Sequence, residues 1–401
     1  MVLFDNKANC CGCGACAAIC PKGAIMLKED EYGFRYPAIN SEKCVECSAC
    51  KRVCPLENGC EKAEPESAYV ATNKNVSRQM KSASGGVFSA IAEKLLNDGW
   101  TVWGAAYDFD AEGFVCVKHE SITATDELVR LQGSKYVQSN TDQVFKAIKD
   151  ELKSGKRVLF SGTPCQVAAV KKFTGTLGEN LVTIDVICHG VPSVKMLKDY
   201  FEMLGRKYNG VVKSFSFRDK TKGWGMTATA KIERAGKVKN VIIPSSNSSY
   251  FSSFLKSETY RESCYSCAFA TKERVGDLTI GDYWGIQEAH PNITQKAEFS
   301  EERGISCILV NTEKGQAIMN ICKAGMNLEV SVFDKVAKEN HQLKAPSARP
   351  VNREKVLDII LKSGFDKLEN VNKTETGKKY YVNYLKAMLP TKFKTFLKRL
   401  M

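Results

Sequence analysis

Apolar and polar positions follow two alternating periods along the middle of the chain. Short apolar runs bounded by turn residues predict strands, and longer amphipathic stretches between them predict helices. The predicted strands are Ala68–Ala71, Thr101–Tyr107, Arg157–Ser161 and Leu181–Ile187. The predicted helices are Gly85–Asn97, Asp142–Lys153, Pro164–Phe173 and Ser193–Lys207. This alternation predicts an α/β layer with a partly parallel sheet.

After about residue 211 the pattern becomes richer in strands. The predicted segments are Val211–Phe217, Met226–Glu233, Val238–Pro244, Asp277–Gly281 and Cys307–Asn311. We interpret them as the second half of the same body. Residues 56–67 are polar and contain a proline, which predicts a linker before that body.

Composition changes the picture through the cysteines, of which the 401 residues contain 17. Ten of them lie in the first 60 residues. The chain starts without the apolar segment of a secretory signal, so we expect a reducing, cytoplasmic setting in which thiols bind metal or carry out redox chemistry.

Two cysteine runs repeat with an offset of 34 residues. Each has the form Cys-x2-Cys-x2-Cys-x3-Cys-Pro; the runs are Cys10, Cys13, Cys16, Cys20 and Cys44, Cys47, Cys50, Cys54. In this arrangement three close cysteines hold one 4Fe–4S cluster and the fourth ligates the other. We predict an inner set of Cys10, Cys13, Cys16 and Cys54, and an outer set of Cys44, Cys47, Cys50 and Cys20. Structural zinc is the alternative.

These runs resemble a bacterial-type ferredoxin with two 4Fe–4S clusters. Residues 25–39, with Gly33 at the middle, predict a hairpin that covers the pair. Cys11 and Cys60 lie outside the pattern, and we interpret them as non-ligands. Cys116, Cys307 and Cys322 occupy apolar settings that favour packing.

Four later cysteines form another candidate set: Cys165, Cys188, Cys264 and Cys267. Their spacing alone leaves a third 4Fe–4S cluster, zinc or unrelated buried thiols open. The loop at residues 82–86 opens a helix, which suits either a phosphate or an ordinary N-cap. His189 is, as a lone histidine, either a structural donor or a catalytic group. The Asp277–Gly285 segment ends a strand, where ligand sites of α/β proteins tend to lie.

Several segments together resemble the family of beta subunits of deazaflavin (coenzyme F-420) hydrogenases and dehydrogenases. With the ferredoxin module the resemblance covers roughly residues 5–325. The segments that carry it are Ser84–Phe88, Gly133–Ser139, Phe160–Val167, Ile187–Pro192, Phe217–Lys220, Cys264–Cys267 and Asp277–Gly285.

The resemblance implies an FAD-binding body with a 4Fe–4S cluster beside the flavin. It implies that Cys165, Cys188, Cys264 and Cys267 ligate this third cluster. It also implies a set of flavin contacts: Ser84, Gly85, Gly86, Lys135, Tyr136, Ser161, Gly162, Thr163, Gln166 and His189. The cofactors would carry the chemistry, which agrees with the lack of an evident acid–base pair.

The net charge of +13 is concentrated in the tail, where residues 373–401 hold eight basic side chains and one acidic one. The remaining +6 does not predict a polyanion-binding body, and no nucleic-acid module is recognisable. Residues 380–401 predict a helix with apolar and basic faces, interrupted at Pro390. It would serve either as a peripheral membrane or partner contact or as a helix packed on its own domain.

We therefore predict a mixed α/β (α+β) protein with four parts. Residues 1–58 form the ferredoxin-type domain, 68–205 and 206–340 the two halves of the flavin-binding body, and 345–401 a basic helical tail. The predicted function is an oxidoreductase that passes electrons between its clusters and a flavin, which exchanges hydride with an organic substrate or deazaflavin-like coenzyme. A redox partner protein or reduced ferredoxin is the expected partner. The alternatives are a non-catalytic interaction protein and a component that only transfers electrons within a larger dehydrogenase or hydrogenase complex.

Overall fold

The computed structural model describes residues 3–110 and 112–389. An N-terminal unit comes first, with two short helices and one hairpin: α1 (Ala15–Ile19), β1 (Ile25–Glu29), β2 (Arg35–Ile39) and α2 (Ala49–Arg52). The hairpin strands pair antiparallel, with Ile25 opposite Ile39, which confirms the prediction. Gly33 lies between them at φ +80°, a conformation that glycine adopts without strain.

The rest of the described chain forms a larger α/β body. Its strands are β3 (Ser67–Asn73), β4 (Thr101–Phe109), β5 (Val115–Ile122), β6 (Val158–Gly162), β7 (Leu181–Val186), β8 (Val211–Ser216), β9 (Thr227–Arg234), β10 (Lys237–Pro244), β11 (Leu278–Asp282), β12 (Ser306–Val310) and β13 (Met326–Ser331). Its helices are α3 (Val76–Lys81), α4 (Val87–Asn97), α5 (Val144–Lys153), α6 (Pro164–Thr174), α7 (Val194–Tyr208), α8 (Ser249–Leu255), α9 (Ile286–Ala289), α10 (Glu313–Cys322), α11 (Phe333–Glu339), α12 (Arg353–Thr376) and α13 (Lys378–Met388).

Eight strands of the body form one mixed sheet in the order β13-β3-β12-β11-β7-β6-β4-β5. The four strands β4, β6, β7 and β11 run parallel at its centre, and antiparallel strands flank them on both sides. Strands β8, β9 and β10 form a separate antiparallel sheet. The predicted fold class, a ferredoxin-type domain followed by a mixed α/β body, is confirmed.

Each predicted strand and helix of the body is present, with ends shifted by a few residues. The pattern missed β5 and β13, which form the two edges of the sheet. Strand β5 also corrects the prediction for Cys116, whose side chain is exposed instead of packed, because the residues of this strand that face the core are its alternate neighbours Val115 and Val117. Cys307 and Cys322 are buried, as predicted.

The N-terminal unit shares its apolar core with the body. Ala15 and Val53 pack in one core with residues of α5 and α6, while Phe34 and Tyr36 belong to another that includes α7 and the second sheet. The cysteine runs are thereby held against the body.

The described part of the tail is helical. Helix α13 packs against β10, and the Tyr380 hydroxyl donates to Glu369 over 2.8 Å. Its other side leaves Tyr381 and Leu385 exposed. The remainder of the predicted amphipathic segment, residues 390–401, lies outside the described residues. Of the helices within residues 3–110 and 112–389, none combines the length and apolarity needed to cross a bilayer.

Candidate functional site

The outer cysteine set surrounds one cavity of about 350 Å³ at the end of the hairpin. Cys20 comes from the first run and Cys44, Cys47 and Cys50 from the second, so the structure brings together the four residues that we predict. Glu46 and Ser48 lie at positive φ between them, and this winds the loop tightly around the cavity. Four soft thiolate donors around one cavity suit an iron–sulfur cluster.

The inner set is more deeply buried. Burial raises the pKa of the Cys16 thiol to about 12, and the nearby thiols of Cys10 and Cys54 act in the same direction. Cys54 thus lies beside the first run, although the chain returns to it only after the hairpin. Gly12 and Gly14 adopt positive φ values of 66° and 76°, which lets the backbone turn closely between the ligating positions.

The third set lines a cavity of about 690 Å³ between the body and the N-terminal unit. Cys165 occupies the first turn of α6 and Cys188 follows β7, while Cys264 and Cys267 come from the loop after α8. Burial raises the pKa of Cys188 well above its ordinary value, and Cys264 and Cys165 act in the same direction. The sequence-predicted set therefore converges, and its donor chemistry fits a cluster.

Cys11, which we interpreted as a non-ligand, lines this third cavity as well. Its thiol forms hydrogen bonds with Cys13 of the inner set and Cys165 of the third set. No spacing rule pointed to this bridge. Within the described ranges, no three His, Cys, Asp or Glu side chains converge closely enough to bind a single metal ion; the cysteines are spread around the cavities.

The loop at residues 84–86 uses its polar groups within the protein. The Ser84 hydroxyl donates to the carbonyl of Ile305, and the Gly85 N–H donates to the Ser306 hydroxyl. A Cβ on Gly85 would lie 2.4 Å from the Ala71 carbonyl oxygen, so close packing on β3 requires glycine here. Gly86 is the N-cap of α4. These contacts favour the N-cap interpretation of the loop.

Lys135 and Tyr136 are held by the segment between β5 and α5. The Lys135 ammonium donates to the carbonyls of Arg130 and Gln132, and burial lowers its pKa to about 7. The Tyr136 ring stacks on Phe254 at 4.4 Å.

The candidates around α6 have two kinds of position. Thr163 and Gln166 form the capping box of α6, and the Thr163 hydroxyl lies 3.2 Å from the Cys165 sulfur. The Ser161 carbonyl lies 3.0 Å from a ring nitrogen of His119, and Gly162 packs on Phe160 and Gln166. Thr163 and His189 reach the third cavity. Burial lowers the pKa of His189.

A network that the site prediction missed links the Ser84 loop with Tyr136. The Arg218 guanidinium forms an ion pair with Asp282 at 2.8 Å and donates to the Tyr136 hydroxyl at 3.1 Å. Trp224 donates to the Ala83 carbonyl, and Lys220 donates to the Ser84 carbonyl. The signal was present, since these residues lie in or beside two of the segments that carry the resemblance.

The aromatic part of this network is ordered around the guanidinium. The rings of Trp224 and Trp284 stack at 4.7 Å, and Arg218 lies 5.6 and 5.4 Å from their centroids. Burial lowers the pKa of Lys220 to about 7. The described residues give neither Lys135 nor Lys220 a carboxylate within 4.0 Å, which fits a nearby anionic cofactor such as the pyrophosphate of FAD.

Two family models match this chain. Residues 155–336 match the model of the carboxy-terminal part of the beta subunit of coenzyme F420 hydrogenase/dehydrogenase, and residues 9–58 match a 4Fe-4S dicluster domain. The matched ranges contain all three cysteine sets.

The chain is 26% identical over 189 residues to the F(420)H(2) dehydrogenase protein of Methanosarcina mazei that is designated its F component. The matched region is 44% of this chain and 51% of that protein, so the chain spans about half the length of the curated relative. In the F420-reducing NiFe hydrogenase complex from Methanosarcina barkeri, solved as a xenon derivative, one chain is 15% identical with a TM-score of 0.45. That alignment covers 79% of this chain and 95% of the other.

Proposed function

We propose, for a chain whose residues 155–336 belong to the family of coenzyme F420 hydrogenase/dehydrogenase beta subunits and whose residues 9–58 form a 4Fe–4S dicluster domain, that it is an iron–sulfur flavoprotein oxidoreductase. It passes electrons between the outer, inner and third cysteine sets and an FAD. The flavin exchanges hydride with a small organic substrate or a deazaflavin-like coenzyme.

One observation supports this proposal above the others, namely that the inner and third sets adjoin. Cys11 lies between two predicted ligands of the inner set, Cys10 and Cys13, and it also lines the cavity of the third set. Its hydrogen bond to Cys165 joins the N-terminal unit to the body at that point. An electron carrier in each set would therefore have a short protein path to the next.

The residues of this chain provide binding, orientation and shielding. When bound, iron–sulfur clusters exchange single electrons, and FAD exchanges either single electrons or hydride. The cysteines hold the clusters, and the buried walls of the inner and third sets keep water away from them. Thr163 and His189 are placed to contact the edge of a flavin that approaches the third cavity. Lys135 and Lys220 supply positive charge for its pyrophosphate.

The outer set is the place for contact with a redox partner protein, such as a reduced ferredoxin. Cys47 is exposed there, and the neighbouring Val45 side chain is 57% exposed. An exposed apolar residue beside a cluster suits transient docking, because electron-transfer contacts are small.

The alternative functions differ in where the substrate reacts. A chain that only transfers electrons would deliver them to a separate catalytic protein, and the curated relative is by its name one component of a dehydrogenase. A non-catalytic interaction protein would bind clusters but no flavin. Turnover of a small acceptor with a chemical reductant, without a second protein, separates an enzyme from a mere electron carrier.

The deciding experiment is anaerobic purification of the full chain with iron, sulfide and flavin quantitation. We expect about 12 iron atoms per chain, four for each of three clusters, and one FAD. Cys267→Ala should lose about four iron atoms, whereas Cys60→Ala, outside all three sets, should lose none. About eight iron atoms with no flavin would reduce the protein to a ferredoxin fused to a body of another function, and bound zinc would contradict the proposal.

The basic tail is a candidate for peripheral membrane contact, since its described helix α13 exposes Tyr381 and Leu385 beside lysines. Cosedimentation with anionic vesicles tests this for the chain with and without residues 380–401. Equal sedimentation of the two forms would assign the helix to packing on its own domain.

A further inference from the structure

Arg261 is fully buried between the inner and third cysteine sets. Its Nε donates to the Cys10 carbonyl over 2.7 Å, and its Nη2 donates to the Arg35 carbonyl over 2.9 Å and lies 3.7 Å from the Cys10 sulfur. The guanidinium also stacks over the Tyr36 ring at 4.1 Å. The same side chain lines the third cavity.

The charge of Arg261 lacks a protein counter-charge among the described residues, where no carboxylate oxygen lies within 4.0 Å of it. The other buried arginines have one: Arg218 pairs with Asp282, Arg274 with Asp185, and Arg353 with Glu262. A buried, unpaired charge is costly. A thiolate-ligated 4Fe–4S cluster carries about −2, so bound clusters on either side would supply the missing negative charge.

The internal duplication provides a comparison between the two ferredoxin-type sets. Gly12 of the inner loop corresponds to Glu46 of the outer loop, 34 residues later. A Cβ on Gly12 would lie 2.6 Å from the Arg261 guanidinium, so glycine leaves room for the cation. The outer loop instead carries an acidic side chain, and Glu46 is exposed. The two sets are therefore electrostatically different although their ligands repeat.

We propose that Arg261 is a positioning residue that raises the reduction potential of the inner cluster above that of the outer one. The inference rests on the proposed function. Reduction adds one electron and breaks no bond, so the reduced cluster is more negative by one charge. A buried cation stabilises that extra charge strongly because little solvent screens it. Electrons that arrive at the exposed outer set are thus drawn inward.

The test is an anaerobic redox titration of the reconstituted full chain, followed by electron paramagnetic resonance. The inner signal is the one lost in Cys13→Ala, and the outer signal is the one lost in Cys47→Ala. Arg261→Gln should lower the equilibrium constant for reduction of the inner cluster at least tenfold, about 59 mV for one electron, with a smaller change at the outer one. Arg261→Lys should restore most of the shift. Lys22→Met, which removes an exposed charge beside the outer cavity, is the matched control and should leave the inner signal unchanged.

A second variant keeps the test decisive if Arg261→Gln does not fold. Gln138 accepts from Arg261 through its Oε1 at 3.4 Å, so Gln138→Glu places a carboxylate against the guanidinium with almost no change of shape. It should lower the inner potential in the same direction. An unchanged inner potential at full iron content in both variants, or equal shifts of both signals, would overturn the role of Arg261 alone. A wild-type chain without iron would overturn the proposed function instead.

Discussion

Buried charges show how much of this site depends on single long-range contacts. Arg274 pairs with Asp185 at 2.8 Å, and both side chains are almost completely inaccessible. The guanidinium also donates to the Phe269 carbonyl and to the Thr279 hydroxyl. Arg274 therefore fixes the loop of the third cavity to strands β7 and β11.

We predict that Arg274→Met destabilises the protein by about 3–5 kcal/mol, because it leaves the Asp185 carboxylate buried without its partner. The measurement is thermal unfolding of the anaerobic protein by circular dichroism. Lys338→Met removes one partner of an exposed pair with Glu288 and should cost at most about 1 kcal/mol. Similar melting temperatures for the two variants would contradict the prediction.

His119 predicts how stability depends on pH. It is buried, its ring nitrogens bond the Ser161 carbonyl and the Ser139 hydroxyl, and its ring stacks on Phe160 at 5.0 Å. Burial lowers its pKa from 6.5 to about 4. The unfolded chain therefore binds the proton more tightly, and stability contributed by His119 is lost as the pH falls from about 6.5 to about 4.

We expect wild type to lose about 2 kcal/mol more than His119→Phe between pH 7 and pH 5. Phenylalanine keeps the stacking on Phe160 but cannot take up a proton. The melting temperature of each protein is measured across this range. Parallel pH profiles would show that His119 does not titrate in this interval.

Among residues, sequence reasoning found those whose chemistry is periodic and missed those defined by a distant partner. The cysteines of the two ferredoxin-type runs could be grouped because spacing fixes which sulfurs share a loop. Arg261 bonds a residue 251 positions away, and Arg218 pairs with an acid 64 positions away. No local pattern distinguishes such arginines from exposed ones.

At the scale of elements, the apolar period predicted the strands and helices of the body because the central strands are buried on both faces. It missed β5 and β13, which lie at the edges of the sheet and are less completely buried. It also could not separate β8–β10 from the main sheet, since the pairing of strands depends on contacts far apart in the chain.

The docking of the hairpin on α7 provides a test of one such contact. Gly33 lies at the hairpin turn, where a Cβ would be 2.4 Å from the Lys195 Cβ, and the Ser193 hydroxyl donates to the Tyr32 carbonyl over 2.6 Å. Gly23 also has positive φ, but nothing lies within 4 Å of its Cβ position.

We expect Gly33→Ala to destabilise the protein by about 1–3 kcal/mol more than Gly23→Ala. Both substitutions carry the backbone strain of positive φ, so their difference isolates the collision with α7. Chemical unfolding of the two variants gives this difference. Equal losses would mean that the hairpin moves away from α7 without cost.

The whole molecule is joined by polar contacts from the cysteine loops to the body. The Thr141 hydroxyl donates to the Cys13 carbonyl over 2.7 Å, and the Gln138 amide donates to the Cys11 carbonyl over 2.9 Å. An ion pair between Arg35 and Asp142 reinforces them at 2.6 Å. Together with the shared apolar cores, these contacts imply that the ferredoxin-type unit and the body lose structure together.

We therefore predict that heating the anaerobic protein bleaches the iron–sulfur absorption and melts the far-ultraviolet dichroism in one coincident transition. Thr141→Val removes one hydroxyl donor at the junction and should lower both transitions equally, by about 1 kcal/mol. Thr374→Val, whose hydroxyl bonds only within its own exposed helix among the contacts described, should leave both nearly unchanged. If bleaching precedes the dichroism transition, the dicluster unit opens independently, and the inner and third cysteine sets are not held together by the fold alone.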